Sequence, residues 1–264
     1  MQIWTSRTRQ RAYRAPSLPW RINWHSPLAR GLSFFYVYHW GRPFDLVTRQ
    51  FAGAHTAARV PTPHGVMAAS VTARYLTGRA PFTIAGGLTM LTVGNKIVGS
   101  ATTALCQRSG NGIDQVEIRV KSPTSGQIVF NCFDGGTSGL ARGLLLPLEE
   151  YYWTAGRLPG ATATPSIWMD GRDITTEGVA ADMSGVSGTL ALGGLPDSTA
   201  IQYDANKILD AGWNVALGDD ELEELTWSNR WGLLIDRKRE YFLPAAAAAP
   251  GGGTILAHMM HYLS

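Results

Sequence analysis

Turn-forming residues interrupt this chain so often that no long helix fits between them. It carries 30 Gly and 14 Pro in 264 residues, about one residue in six, scattered between short apolar runs. Proline removes a backbone donor and glycine weakens a helix interior, whereas both suit the turns that join many short strands. The runs between them are β-prone: residues 31–38 (GLSFFYVY), 44–47, 88–93, 127–133 (QIVFNCF), 151–153, 166–169 and 189–192. The clearest alternation, Val116-Glu117-Ile118-Arg119-Val120-Lys121, predicts a half-buried strand with Val116, Ile118 and Val120 on one face and the charges on the other. Asp170-Gly171 is suited to a tight hairpin turn. Residues 51–80 read as loop with one strand within 66–75, and a late strand is expected near 213–217. One short helix is expected over 218–225, with acids in its first turn, a capping pair of Asp220 with Glu223, and Leu222 and Leu225 docked on the strands.

Composition narrows the class further. Hydrophobic residues make up 45% and charged residues 16%, which argues against disorder. Two cysteines, Cys106 and Cys132, cannot build a disulfide framework, and no Cys/His spacing matches a structural zinc site. They are expected as buried thiols, with a cross-strand pair as the alternative. The first 20 residues have no apolar h-region and no 18 consecutive residues are apolar, so neither a signal peptide nor a membrane span is expected.

Charge is divided unevenly. Residues 1–133 hold 15 Lys/Arg against three acids, and residues 134–264 hold 8 against 17. Such asymmetry suggests contact with something charged. The basic end interleaves arginines with Trp4, Tyr13, Trp20 and Trp24, and Pro16, Pro19 and Pro27 favour an extended arm over residues 1–30. Nucleic acid would suit that composition, but no helix-turn-helix, zinc-finger or RNP pattern follows. An acidic protein neighbour is the expected partner, met by Arg7, Arg9, Arg11, Tyr13, Arg14 and Trp20. The body then spans 31–244, and an Ala245–Ala249 and Gly251–Gly253 linker leads through 245–264 to an apolar tail. In that tail Ile255, Leu256, Met259, Met260 and Tyr262 form a second candidate docking set.

Several segments, in order, resemble a known family. Arg21-Ile22-Asn23-Trp24 through Ser26-Pro27-Leu28-Ala29-Arg30-Gly31-Leu32 is similar to an entry segment, and Phe44-Asp45-Leu46-Val47 to the step after the first strand. Tyr151-Tyr152-Trp153, Trp168-Met169-Asp170-Gly171 and Gly188-Thr189-Leu190-Ala191-Leu192-Gly193 follow. The most specific piece is Gly212-Trp213-Asn214-Val215-Ala216-Leu217-Gly218-Asp219-Asp220-Glu221-Leu222, which Ser228-Asn229-Arg230-Trp231 extends. Over roughly residues 21–245 the chain resembles the laminin-G-like, concanavalin-A-like jelly-roll domains of tailed bacteriophages. Residues 54–80 depart from the family's pattern. The resemblance implies an all-β, antiparallel jelly-roll β-sandwich. With the two arms, it implies a non-enzymatic virion structural protein assembled in the host cytoplasm, a capsid decoration or cement subunit that binds neighbouring capsid proteins as a homo-oligomer such as a trimer. The alternative is a tail-associated glycan- or receptor-binding module.

Candidate chemistry is sparse. Glucanases of related fold set catalytic carboxylates at even spacing on one strand, whereas Asp114 and Glu117 are three apart, which sends them to opposite faces and reads as a solvated strand edge. His258 and His261 have no nearby carboxylate to complete a metal site. Asp134, Asp197 and Asp204 sit in expected loops and could offer oxygens to calcium, the one ion left open, although turn chemistry explains them equally. No Gly-x-Ser-x-Gly or P-loop pattern occurs. No catalytic residue, resident cofactor, nucleic-acid role or membrane partner is expected.

Overall fold

The computed structural model describes residues 20–38, 43–53, 59–62, 65–68, 75–77, 82, 86–95, 102–108, 115–120, 127–134, 137–145, 151–180, 188–196, 198–202 and 206–236. Two antiparallel sheets dominate. The first has seven strands in the spatial order Glu177–Val179, Thr137–Leu145, Gln127–Asp134, Gln115–Val120, Thr102–Arg108, Thr189–Leu192 and Tyr75–Leu76. The second has ten, its main path running Arg172–Asp173, Ser166–Met169, Tyr151–Leu158, Leu88–Asn95, Asn206–Trp213, Leu32–Val37, Phe44–Asp45 and Gln50–Phe51. Gly65–Ala68 adds to the start of Asn206–Trp213, and Arg59–Thr62 pairs with it. The crossings between distant parts of the chain make this a jelly-roll sandwich.

Alternation explains how the sheets pack. Val116, Ile118 and Val120 point inward with Leu105, Ile128, Phe130 and Cys132, and meet Phe34, Tyr36, Leu88 and Met90 of the second sheet. The second sheet is buried on its other face as well. Phe35, Leu91, Val93, Trp153, Ala155, Trp168, Leu209, Ala211 and Trp213 face outward from the sandwich. They are covered by Ile22, Leu28 and Ala29 on one side of the chain and by Leu217, Leu222, Leu225, Leu233 and Leu234 on the other. Strands buried on both faces read as continuous apolar runs, which is why Ser33-Phe34-Phe35-Tyr36-Val37 shows no polar partner for each apolar residue.

The covering layer is tied in by directed bonds. Trp213 Nε1 donates to the Leu28 carbonyl at 2.6 Å, and Asn23 N–H donates to the Leu233 carbonyl at 2.8 Å. Thr89 Oγ1 accepts from Leu217 N–H at 3.0 Å. Residues 20–30, assigned in sequence to the arm, therefore belong to the packed body.

Three other expectations need correction. Within 51–80 the described residues include the end of Gln50–Phe51 and the short strands Arg59–Thr62, Gly65–Ala68 and Tyr75–Leu76, in place of the one strand expected. The late strand is Asn206–Trp213, not 213–217, because Lys207 and Asp210 are buried in it and mask its pattern. The helix runs from Asp219 with Gly218, not Asp220, at its N-cap, so the side chain that reaches back is Glu221 and not Glu223: its Oε2 accepts from Gly218 N–H at 2.7 Å. Leu222 and Leu225 are buried as expected, but past Glu223 the helix widens into a π-turn over Glu224–Ser228.

Candidate interaction surface

Trp20–Ile22 pairs antiparallel with Leu234–Asp236, and Trp20 lies directly opposite Asp236. Facing residues in such a ladder have Cα atoms roughly 4.5–5.5 Å apart. Segments 1–19 and 237–264 therefore join the body at one spot. Those two segments hold seven Lys/Arg and one acid, Glu240, a balance of +6, and residues 20–236 hold 16 Lys/Arg and 19 acids, a balance of −3, which together make the +3 of the chain. Trp20 is half-buried against the covering layer. It acts as part of the root, and its ring is not a free arm residue. Arg7, Arg9, Arg11, Tyr13 and Arg14, and Ile255, Leu256, Met259, Met260 and Tyr262 of the tail, lie outside the described residues, as do His258 and His261.

Glu117 is not at a solvated edge. Its strand is the fourth of seven, and the side chain is fully buried on the outward face of that sheet. Its Oε1 accepts from Gln115 Nε2 at 3.2 Å, Arg119 Nη1 at 3.1 Å and Asn131 Nδ2 at 3.2 Å. Three donors converging on one carboxylate oxygen tie Gln115, Arg119 and Asn131 together, so the group anchors the sheet face. Asp114 lies outside the described residues.

A second buried carboxylate escaped the sequence reading. Asp210 faces the interior at the centre of the ten-stranded sheet. It accepts from Thr92 Oγ1 at 2.7 Å, from Lys207 Nζ at 2.6 Å and from the Tyr38 hydroxyl. The Lys207 ammonium also lies 5.4 Å from the Tyr38 ring centroid. All four side chains are buried. The one signal in the sequence is a charged pair three apart inside an apolar run, Lys207-Ile208-Leu209-Asp210.

Cys106 and Cys132 are buried thiols that do not pair. Cys106 faces outward opposite Glu117, Cys132 faces inward opposite Val116, and the strand Gln115–Val120 separates them. Burial and the nearby Glu117 charge push the Cys132 thiol far above its ordinary value. Asp134 ends a strand, while Asp197 and Asp204 lie outside the described residues. Among the described residues no three His, Cys, Asp or Glu side chains group into a metal cluster. Also among them, no helix is long and apolar enough to cross a membrane.

No family model and no curated protein matches the chain. Solved structures do. Trypanosoma rangeli sialidase in complex with sialic acid is similar at a TM-score of 0.55 and 12% identity, over 74% of this chain and 32% of that one. Trypanosoma rangeli sialidase without a named ligand is similar at 0.55 and 12%, over 83% and 36%. The chain thus spans about a third of the length of these sialidases. A Ruminococcus gnavus IT-sialidase CBM40 bound to alpha2,3 sialyllactose aligns at 0.46 and 14%, over 55% and 85%. At such identities the likeness to the sialidases is one of fold.

Proposed function

We propose that the chain is a non-enzymatic structural protein of a tailed-phage virion, a capsid decoration or cement subunit that binds neighbouring capsid proteins through its terminal segments. The observation that carries this reading is the pairing of Trp20 with Asp236. It roots a basic N-terminal segment and a C-terminal segment with an apolar end at one spot on an acidic body. Two tethers from one root act on the same neighbour, and the second engages at the effective concentration set by the first. Opposite charge on body and segments suits a closed homo-oligomer, such as a trimer, in which each basic segment lies on the next acidic body. The buried carboxylates Glu117 and Asp210, each engaged by three donors of the chain itself, fit an adhesive role better than acid–base chemistry.

The test replaces Arg7, Arg9, Arg11 and Arg14 together by Ser in the full chain and measures incorporation into purified particles. The variant should fold normally and incorporate poorly, and wild-type attachment should weaken with added salt. Incorporation equal to wild type, or absence of the protein from particles, would overturn the proposal.

A further inference from the structure

We propose that the outer face of the helix Asp219–Glu223 and of the π-turn that follows it is the docking site for the N-terminal segment of a second copy of this chain, met through Arg7, Arg9 and Arg11. The inference rests on the copy-to-copy contact of the reading above and says where on the body that contact falls. Five acids stand in this stretch, and the fold treats them as two groups. Arg157 pairs with Asp219, and Arg30 Nη2 lies 3.3 Å from Glu221 Oε1. Asp220, Glu223 and Glu224 have no cationic partner among the described residues. Ser228 Oγ donates to Glu223 Oε2 at 2.8 Å, and Asn229 Nδ2 donates to Glu224 Oε1 at 2.7 Å. Both donors are neutral, so they orient the two carboxylates and leave the charge uncompensated.

The face is held rigid before any partner arrives. Thr226 Oγ1 accepts from Gly171 N–H at 2.9 Å and donates to the Leu222 carbonyl at 2.7 Å, which locks the π-turn to the Asp170-Gly171 hairpin and to the helix. Trp227 stands on the same turn, 38% exposed. The Arg230 guanidinium lies 5.0 Å from that ring centroid and 3.1 Å from Asp170 Oδ1. Guanidinium groups suit such seats because they pair with carboxylates and stack on indoles. This part of the body therefore already holds three arginines, and Asp220, Glu223 and Glu224 offer further seats that the described arginines do not fill.

Residues 1–19 carry the complement, Arg7, Arg9, Arg11 and Arg14 with no acid. Because Arg7, Arg9 and Arg11 alternate with Thr8 and Gln10, an extended chain projects the three guanidinium groups to one side, about 6.8 Å apart. One helical turn, about 5.4 Å, separates Asp220 from the Glu223 and Glu224 pair, so the two spacings are close. The root directs the segment to a neighbour. It leaves the ladder at Trp20, opposite Asp236. Both chains that leave the other end, at Ile22 and Leu234, lead to the helix: one reaches Arg30 and Glu221, and the other runs back through Leu233 to the π-turn. The segment's own helix thus lies behind its root. Arg11 precedes Trp20 by nine residues, which extended span up to about 30 Å, enough to reach a body packed alongside. Repeated head to tail, such a contact closes into a ring.

The experiment measures self-association of the purified full chain by sedimentation, with no particle present. Wild type should associate. Raising salt from about 0.1 M to about 1 M shortens the screening length from about 10 Å to about 3 Å and should weaken association at least about tenfold. Asp220→Lys with Glu223→Lys should weaken it about tenfold, and Arg7→Glu with Arg9→Glu and Arg11→Glu should do the same, since each set reverses several exposed pairs at once. A chain carrying both sets should recover to within about threefold of wild type. Near-UV circular dichroism checks that each variant is folded. A monomeric wild type would place the segment on its own helix or on another protein and would overturn the proposal, as would undiminished association by either set alone or no recovery when both are present. Incorporation into particles is read separately, so failure here leaves the virion reading to its own test.

Discussion

Asp210 is an ion in the middle of a core, and its stability rests on its partners rather than on its place. Lys207 neutralises it, and the hydroxyls of Thr92 and Tyr38 donate to it as well. Breaking one side of such a pair strands the other charge, at a cost of about 3–5 kcal/mol, whereas removing both charges together can be near neutral. Asp210→Ala should therefore lower urea-unfolding stability by that amount, and the double variant Asp210→Leu with Lys207→Met should recover most of it; equal losses in both would mean that the pair is not coupled. Cys132 makes a pH prediction. Its folded thiol holds its proton because burial and Glu117 disfavour the thiolate, while the unfolded thiol ionises near its ordinary value. Above about pH 8.5 the unfolded state binds fewer protons, so stability falls as pH rises, by up to about 1.4 kcal/mol per unit. Cys132→Ala should remove that share of the slope; an identical pH profile would contradict it.

At the scale of elements, alternation was the legible signal and double burial hid it. Val116 to Val120 sorted correctly because one face meets the core and the other carries Glu117 and Arg119. The strands Thr102–Arg108 and Thr137–Leu145 were not singled out in sequence, since Thr, Gly and Ser dilute their apolar positions. The hairpin at Asp170-Gly171 was legible because the residue pair itself dictates positive φ, 48° and 81°. The π-turn was not, because it arises from packing against that hairpin. Close approach of the sheets is also invisible in sequence. A Cβ on Gly156 would lie 2.3 Å from the Phe130 ring, whereas one on Gly160 meets nothing within 4 Å. Gly156→Ala should cost about 1–3 kcal/mol through overpacking, and Gly160→Ala should change stability by less than about 0.5 kcal/mol, both read from thermal or urea melts. Similar losses at both positions would argue that the sheets are not in contact at Phe130.

For the whole molecule, the N-terminal boundary decides what a truncation means. The sequence places the arm at residues 1–30, because Arg and Pro continue past Trp20 without a clear period. Packing moves the edge of the body to Trp20: Ile22, Leu28 and Ala29 are buried against the outer face of the ten-stranded sheet, and Leu28 supplies the acceptor for Trp213. Removing residues 1–19 takes no described contact away. Removing 1–31 uncovers the face formed by Phe35, Trp213 and their neighbours, deletes two large buried side chains worth about 2–5 kcal/mol each, and leaves the Trp213 indole N–H without its acceptor. That sum rivals the total stability of an ordinary domain. The shorter truncation should therefore melt like wild type and lose its salt-dependent attachment to particles. The longer one should fail to fold cooperatively at 37 °C, as read by circular dichroism. A stable body after deletion of 1–31 would show that the covering layer is dispensable, and loss of folding on deletion of 1–19 alone would show that the first segment is a core element rather than a tether.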